Sequence, residues 1–262
     1  MVFIIAGRPR SGTTILQRLC DGHPEIAMTN EFGNFLYLDQ SLGEHALNLF
    51  RRWKRVQGKW AFDVSYASEK KLLAYKNLFF VLKYIYFLSG NHWGQVTVKS
   101  IEIAYQKLFP QSKLIGDKLP HYLLQMDRFV TQDNLKRLVI YRDCRDVTSS
   151  FLKQVRTTWK GADWVQQLDS AEKIAKSWVR DIQIMEAFSD KLIILQYEAL
   201  MRQPKIELAR VSAALGIDSA GFPIDMINPS SIGKYKQGLS SEELEIVMGI
   251  AGPTMERLGY LL

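Results

Sequence analysis

Two stretches of this sequence place cations and hydroxyls where an oxyanion can be gripped. The first is Gly7-Arg8-Pro9-Arg10-Ser11-Gly12-Thr13-Thr14, which follows the apolar run Val2–Ala6 and opens a helical pattern. Its two glycines, five residues apart, let the backbone come close to a ligand. The amides at the helix start, backed by the positive end of the helix dipole, then form an anion site. The spacing follows the phosphate-loop pattern G-x4-G-K-[ST], except that Thr13 stands where a nucleotidase keeps its lysine. That lysine works on the terminal phosphates of a metal-bound nucleotide, so its replacement argues against phosphoryl transfer. The cation has moved into the loop as Arg10, whose guanidinium can fork onto phosphate or sulfate oxygens. The second stretch is Leu138-Val-Ile-Tyr-Arg142-Asp-Cys-Arg145-Asp-Val-Thr-Ser-Ser150, an apolar strand ending in an arginine with a serine eight residues later. A strand-end arginine and a hydroxyl near the next helix start can converge on a phosphate without a metal. Asp143 leaves a second reading open, a metal-holding Walker B strand, and the missing loop lysine weakens it.

Taken together, these residues resemble a known family. Arg8-Pro-Arg-Ser-Gly-Thr-Thr14, followed by Leu16-Gln-Arg-Leu-Cys-Asp-Gly-His-Pro24, is similar to the 5'-phosphosulfate loop of sulfotransferases that use 3'-phosphoadenosine-5'-phosphosulfate (PAPS). The bacterial and tyrosylprotein-type branch is the nearer one; cytosolic animal members usually carry lysine at the place of Arg10. The resemblance implies that Arg10, Ser11, Gly12, Thr13 and Thr14 hold the 5'-phosphosulfate, and that Arg142 and Ser150 hold the 3'-phosphate. Gln196-Tyr197-Glu198-Ala-Leu200 resembles the family's YE-x-L segment and adds Tyr197 to the donor site. Ser231-Ile-Gly-Lys-Tyr-Lys236 resembles the late basic loop that closes over the donor nucleotide, bringing in Lys234 and Lys236. Met255-Glu-Arg-Leu-Gly-Tyr260 is similar to the usual ending. The donor, with its desulfated product PAP, is the only cofactor implied, and no metal is called for.

Two catalytic groups follow from the same resemblance. Lys118, in Asp117-Lys118-Leu-Pro120, matches the family lysine before a proline that stabilises the leaving oxygen; Arg10 shares that task. Glu31 stands at the distance from the loop where the tyrosylprotein-type branch carries its glutamate base. A carboxylate there takes the acceptor proton if partial burial raises its pKa. His121 is the second candidate for the base, whereas His23, before Pro24, reads as a cap or packing residue. Phe32-Gly-Asn34 replaces the second acid and the arginine of the tyrosylprotein branch, which speaks against a protein-tyrosine acceptor.

The elements that must position these groups alternate between strand and helix, the mark of an α/β fold. Nearly unbroken apolar runs at Val2–Ala6, Lys113–Gly116, Arg137–Tyr141 and Leu192–Gln196 read as parallel strands covered on both faces, each followed by a helix. Helices are expected from Thr13 to Asp21 with Gly22 as C-cap, from Ser170 to Phe188 capped by Asp169 or Ser170, and from Pro204 to Gly216. Ser240-Ser-Glu-Glu243 is a capping box for the last one. The expected architecture is a three-layer, P-loop-NTPase-like parallel sheet flanked by helices, forming one domain over 1–262. Residues 39–109 read as a helical insertion rich in aromatics, among them Phe50, Trp53, Trp60, Phe62, Tyr66, Tyr75, Phe79, Phe80, Tyr84, Tyr86, Phe87 and Trp93. That insertion is expected to form the acceptor side and to favour an apolar or aromatic small molecule or glycan.

Composition narrows the class further. The 262 residues carry 34 Lys+Arg against 27 Asp+Glu, a net charge of +7 that asks for an anionic partner. Cys20 and Cys144 make no CxxC pair, and His23, His45, His92 and His121 have no metal spacing. No stretch has the roughly 20 apolar residues of a membrane span, so a cytoplasmic protein is expected. A metal-dependent kinase of phosphate-loop type is one rival. A basic module binding nucleic acid through Arg51-Arg-Trp-Lys-Arg55 is the other, although that cluster reads first as a solvated helix face.

Overall fold

The computed structural model describes residues 1–56, 70–90, 94–160 and 163–261. Among these, the apolar runs pair as one sheet of strands β1 (Val2–Gly7), β2 (Ile26–Asn30), β3 (Leu114–Lys118), β4 (Leu135–Tyr141) and β5 (Ile193–Gln196). Their order is β2-β3-β1-β4-β5, and every neighbouring pair is parallel. The first strand is buried at every residue, as a central strand with both faces covered must be. Around the sheet lie α1 (Thr13–Asp21), α2 (Leu42–Val56), α3 (Lys70–Ser89), α4 (Val98–Leu108), α5 (Met126–Phe129) and α6 (Cys144–Arg156). They are followed by α7 (Ala171–Ala187), α8 (Tyr197–Arg202), α9 (Pro204–Leu215), α10 (Tyr235–Gly238) and α11 (Ser241–Arg257).

Alternation along β1 divides the core. Val2, Ile4 and Ala6 face a cluster built with Val81, Ile101, Val147, Trp178 and Val247, contributed by α3, α4, α6, α7 and α11. Phe3 and Ile5 face the other layer, with Leu16, Leu19, Leu200 and Leu208 from α1, α8 and α9. The result is the expected three-layer α/β fold.

Several expectations shift. Ile26–Asn30 forms a strand not read from the sequence, a short run of mixed polarity that becomes an edge strand by pairing Asn30 with Lys118. β3 runs on through Asp117 and Lys118, past the expected end at Gly116, because hydrogen-bonded neighbours flank it on both sides. It is then followed by a 3-10 turn, Pro120–Gln125, before the single turn of α5. Gly22 does close α1, but with φ at −79°, so no left-handed turn requires it; a Cβ there would meet Pro223. Ser170, not Asp169, caps α7 through the amide of Lys173. The capping box of Ser240 and Glu243 forms as expected, and Gly216 ends α9 with a φ of 69°.

Helices α2, α3 and α4 fall within the aromatic segment 39–109. Among the described residues its rings largely build core: Tyr84 meets Phe32 at 5.0 Å and Tyr105 at 5.7 Å, and Phe80 meets Phe32 at 5.2 Å. Phe79 and Tyr86 are exposed. Trp60, Phe62, Tyr66, Trp93 and the side chain of Tyr75 lie outside the described residues, as does His92.

Candidate functional site

Parallel pairing brings the carboxyl ends of all five strands to one edge, the side on which open α/β sheets bind ligands. β1 ends in the glycine loop, β2 leads to Glu31, β3 ends at Lys118, β4 leads to Arg142 and β5 to Tyr197. The sequence-predicted residues therefore share one rim.

In the glycine loop, Gly7 has a φ of 146° and Gly12 of 98°. A Cβ on Gly7 would strike the Ile140 carbonyl of β4, and one on Gly12 would strike the ring of Tyr197. Gly12 caps α1 without any side-chain bond, so the amides of its first turn face the loop. Thr14 is open to solvent, whereas Thr13 is buried behind Gly7. Ser11 is fully buried; its amide donates to the Arg8 carbonyl at 3.1 Å, and its hydroxyl points inward. The two arginines of the loop divide their work. Arg8 turns inward, donating to Ser177 Oγ and Asp181 Oδ2, both at 2.7 Å, and so ties the loop to α7. Arg10 turns outward.

Arg10 Nε donates to Ser150 Oγ at 2.9 Å, and Arg142 Nη1 approaches the Arg10 carbonyl at 3.4 Å. Thus the first motif meets the second. Arg10 opens to solvent on one side, yet desolvation by the loop and α6, and then the charge of Arg142, lower its pKa. Two guanidiniums held together in this way leave an excess of positive charge that an anion relieves. Arg142 is buried, stacks over Tyr197 at 4.5 Å, and pairs with Asp146 at 3.1 Å. Its Nη2 also donates to the Ser231 carbonyl, while its Nε is buried without a partner. Lys234 and Lys236 are exposed, on the segment that Ser231 brings over Arg142. Arg145 pairs with Asp143 at 2.6 Å, which occupies the Walker B-like aspartate.

On the other side of the loop, Lys118 Nζ donates to Glu31 Oε1 at 2.8 Å. Both side chains are nearly buried, at 3% and 11% exposure, so the pair is held as an ion pair with little water. Glu31 has a φ of 60° and Arg10 one of 75°; among the described residues only Asp39 joins them as a non-glycine with positive φ. Such backbone is costly and persists where surroundings enforce it. For Glu31 the enforcement is visible: its amide donates to the Lys118 carbonyl at 2.7 Å, and Arg52 of α2 donates to its carbonyl at 2.8 and 3.2 Å. Beneath it, fully buried Asp117 accepts from Thr29 Oγ1 at 2.7 Å, Phe32 N at 3.1 Å and Gly33 N at 2.9 Å. Tyr122 donates to the same carboxylate at 2.5 Å.

His121 opens to solvent at the same rim, where desolvation lowers its pKa despite the opposing charges of Glu31 and Asp181. His23 lies away from the site; its Nδ1 accepts from the Glu25 amide at 3.1 Å, so Nε2 donates to the Asp218 carbonyl at 2.7 Å. Arg51, Lys54 and Arg55 are exposed as a solvated face, but Arg52 leaves it for Glu31. Sequence reasoning missed Arg52, Asp117, Asp146 and the inward role of Arg8. For Asp146 the i, i+4 spacing from Arg142 was a usable signal; for Arg52 no local signal exists.

Among the described residues no helix is long and apolar enough to cross a membrane. The fold is shared with solved structures. The sulfotransferase domain of the olefin synthase of Synechococcus PCC 7002 aligns with a TM-score of 0.56 at 20% identity, over 96% of this chain and 94% of that one. The sulfotransferase domain from the curacin biosynthetic pathway gives 0.54 at 15% identity, over 96% and 97%. A sulfotransferase from Alicyclobacillus acidocaldarius gives 0.53 at 16% identity, over 99% and 94%. No curated protein sequence is significantly similar to this chain. The profile described as "Sulfotransferase family" matches residues 2–220, a span that includes the glycine loop, Glu31, Lys118, Arg142 and Ser150. With that match over most of its length, and with the site residues on one rim of the matching fold, the chain belongs to the sulfotransferase family of enzymes.

Proposed function

We propose that the protein transfers a sulfuryl group from PAPS to a hydroxyl or amine of a small-molecule acceptor. The observation that carries this reading is the meeting of Arg10, Ser150 and Arg142, two cations and a hydroxyl from separate motifs, beside the first turn of α1. Those residues fit a donor with two separated phosphates. The first-turn amides and Thr14 suit the 5' end, and Ser150 with the unpartnered Nε of Arg142 suits the 3'-phosphate. Tyr197 backs both by packing against Gly12 and Arg142. Lys234 and Lys236 add exposed positive charge on the segment that lies against Arg142.

When bound, the donor supplies a sulfuryl group joined through a bridging oxygen to its 5'-phosphate, with PAP as the product. Glu31 accepts the proton of the acceptor. As it does so, Lys118 loses its counter-charge at 2.8 Å, and its ammonium, with Arg10, offsets the charge that grows on the departing phosphate oxygen. Arg52 and Asp117 hold the Glu31 backbone in its strained conformation while this happens. The whole chain acts as one catalytic unit in this reading. Arg52 of α2 contacts Glu31 and Phe80 of α3 contacts Phe32, which supports the reading of the segment 39–109 as the acceptor side, with an apolar and aromatic wall.

The test is calorimetric titration with adenosine 3',5'-bisphosphate and with ATP, each with and without Mg2+. The reading expects the bisphosphate to bind tightly and without dependence on the metal. Tight, Mg2+-dependent ATP binding with weak bisphosphate binding would replace it with the kinase reading.

A further inference from the structure

Several buried carboxylates are used by neither the donor contacts nor the proton transfer, and Asp146 is the one that touches a proposed donor residue. Asp146 is 2% exposed and lies in the first turn of α6. Its Oδ2 takes Arg142 Nη2 at 3.1 Å and the Gly233 amide at 2.8 Å, and its Oδ1 takes the Tyr235 amide at 2.9 Å. A single side chain thus binds the strand-end arginine and two amides of the segment 231–235. Three further contacts close the same arrangement. Arg142 donates to the Ser231 carbonyl, Arg145 stacks over the Tyr235 ring at 4.4 Å, and Gly238 sits so close to Ser149 that a Cβ would strike its hydroxyl. Gly233, with a φ of 77°, supplies the turn that presents its own amide to Asp146.

We propose that Asp146 is a positioning residue that couples the 3'-phosphate arginine to the basic segment 231–236. Its carboxylate fixes the Arg142 guanidinium and holds the segment bearing Lys234 and Lys236 over it, so that recognition of the 3'-phosphate and closure of the segment are one event. The proposal rests on the donor reading above, since it assigns Arg142 to the 3'-phosphate. A buried carboxylate serving a purely structural purpose would have no reason to discriminate between nucleotides that differ only in that phosphate.

The experiment compares wild type with Asp146→Asn, which keeps the shape and loses the charge. Two readouts are followed: the ratio of affinities for adenosine 3',5'-bisphosphate and 5'-AMP, and the rate of tryptic cleavage after Lys234 and Lys236. The expected result is a loss of roughly tenfold or more in the affinity ratio, the scale of a hydrogen bond to a charged group. Faster cleavage at those two lysines should accompany it, with 5'-AMP affinity little changed. An unchanged ratio, or a changed ratio with unchanged cleavage, would overturn the coupling. If Asp146→Asn does not fold, wild type alone decides: saturating bisphosphate should slow cleavage after Lys234 and Lys236 more than saturating 5'-AMP does, and equal protection overturns the proposal. A wild-type protein with no preference for the bisphosphate would instead overturn the donor reading itself.

Discussion

Glu31 and Lys118 are in direct contact at 2.8 Å with both side chains nearly buried, and substituting one or the other leaves different groups behind. Glu31→Gln keeps a hydrogen-bond acceptor for Lys118, so the fold and the donor site should survive. Turnover should fall by about 100-fold or more, the usual worth of a positioned base, and near-normal turnover in a steady-state assay would exclude Glu31 from that role. Lys118→Ala instead leaves a nearly buried carboxylate without its cation. It should cost on the order of 3 kcal/mol of stability in a urea melt, in addition to turnover, because an unpaired charge remains. Local spacing singles out Arg10, Arg142 and Ser150, the residues proposed for the donor side, and the structure brings these three together. Ser11 was legible only as part of the motif, since its hydroxyl faces inward. The support of Glu31 by Arg52 and Asp117 was not legible. It depends on contacts spanning 21 and 85 residues of sequence, for which a single chain gives no local pattern.

At the scale of elements, the glycine loop tolerates little. Gly12 has a φ of 98° and faces the Tyr197 ring, so Gly12→Ala meets both backbone strain and a clash. It should destabilise by roughly 1–3 kcal/mol and weaken bisphosphate binding in the same preparation; an unaltered affinity would remove the loop from the donor site. The packing of α2 against α3 carries a pH dependence. His45 is fully buried, its Nδ1 bonded to the Tyr37 carbonyl at 2.9 Å and its Nε2 to the Tyr84 hydroxyl at 3.2 Å. Burial pushes its pKa down from 6.5 to about 4, against the smaller opposing effect of the Tyr37 carbonyl. The unfolded chain therefore binds the proton first: this contribution to stability is intact above pH 6.5 and is lost as the pH falls from 6.5 to about 4. At pH 5 the loss is about 2 kcal/mol. Urea melts of wild type and His45→Gln at pH 7 and pH 5 should show that loss in the first and not the second; parallel pH curves would contradict it. The strands with long apolar runs were readable, while β2 was not, since five residues of mixed polarity become a strand only through their partner β3. The end of β3 was misplaced for a related reason. Asp117 and Lys118 are buried against their own polarity because Thr29, Phe32, Gly33 and Tyr122 satisfy the one and Glu31 pairs with the other.

For the molecule as a whole, a net charge of +7 matters less than where cations lack neutralisation. Many arginines and lysines are spent in ion pairs, as Arg8 is with Asp181, Arg145 with Asp143 and Arg142 with Asp146, while Arg10 beside Arg142 has no carboxylate partner among the described residues. A ligand that neutralises this rim should stabilise the folded chain. At 100 times its dissociation constant, the bisphosphate is expected to add about 2.7 kcal/mol, or roughly 5–10 °C in melting temperature for a chain of this size. The most direct measurement is calorimetric comparison of adenosine 3',5'-bisphosphate with 5'-AMP on wild type and Arg142→Ala. Wild type should prefer the bisphosphate by roughly 10-fold to 100-fold, the worth of charge-assisted bonds to one phosphate, and Arg142→Ala should remove most of that preference. Equal affinity of wild type for the two nucleotides would contradict it.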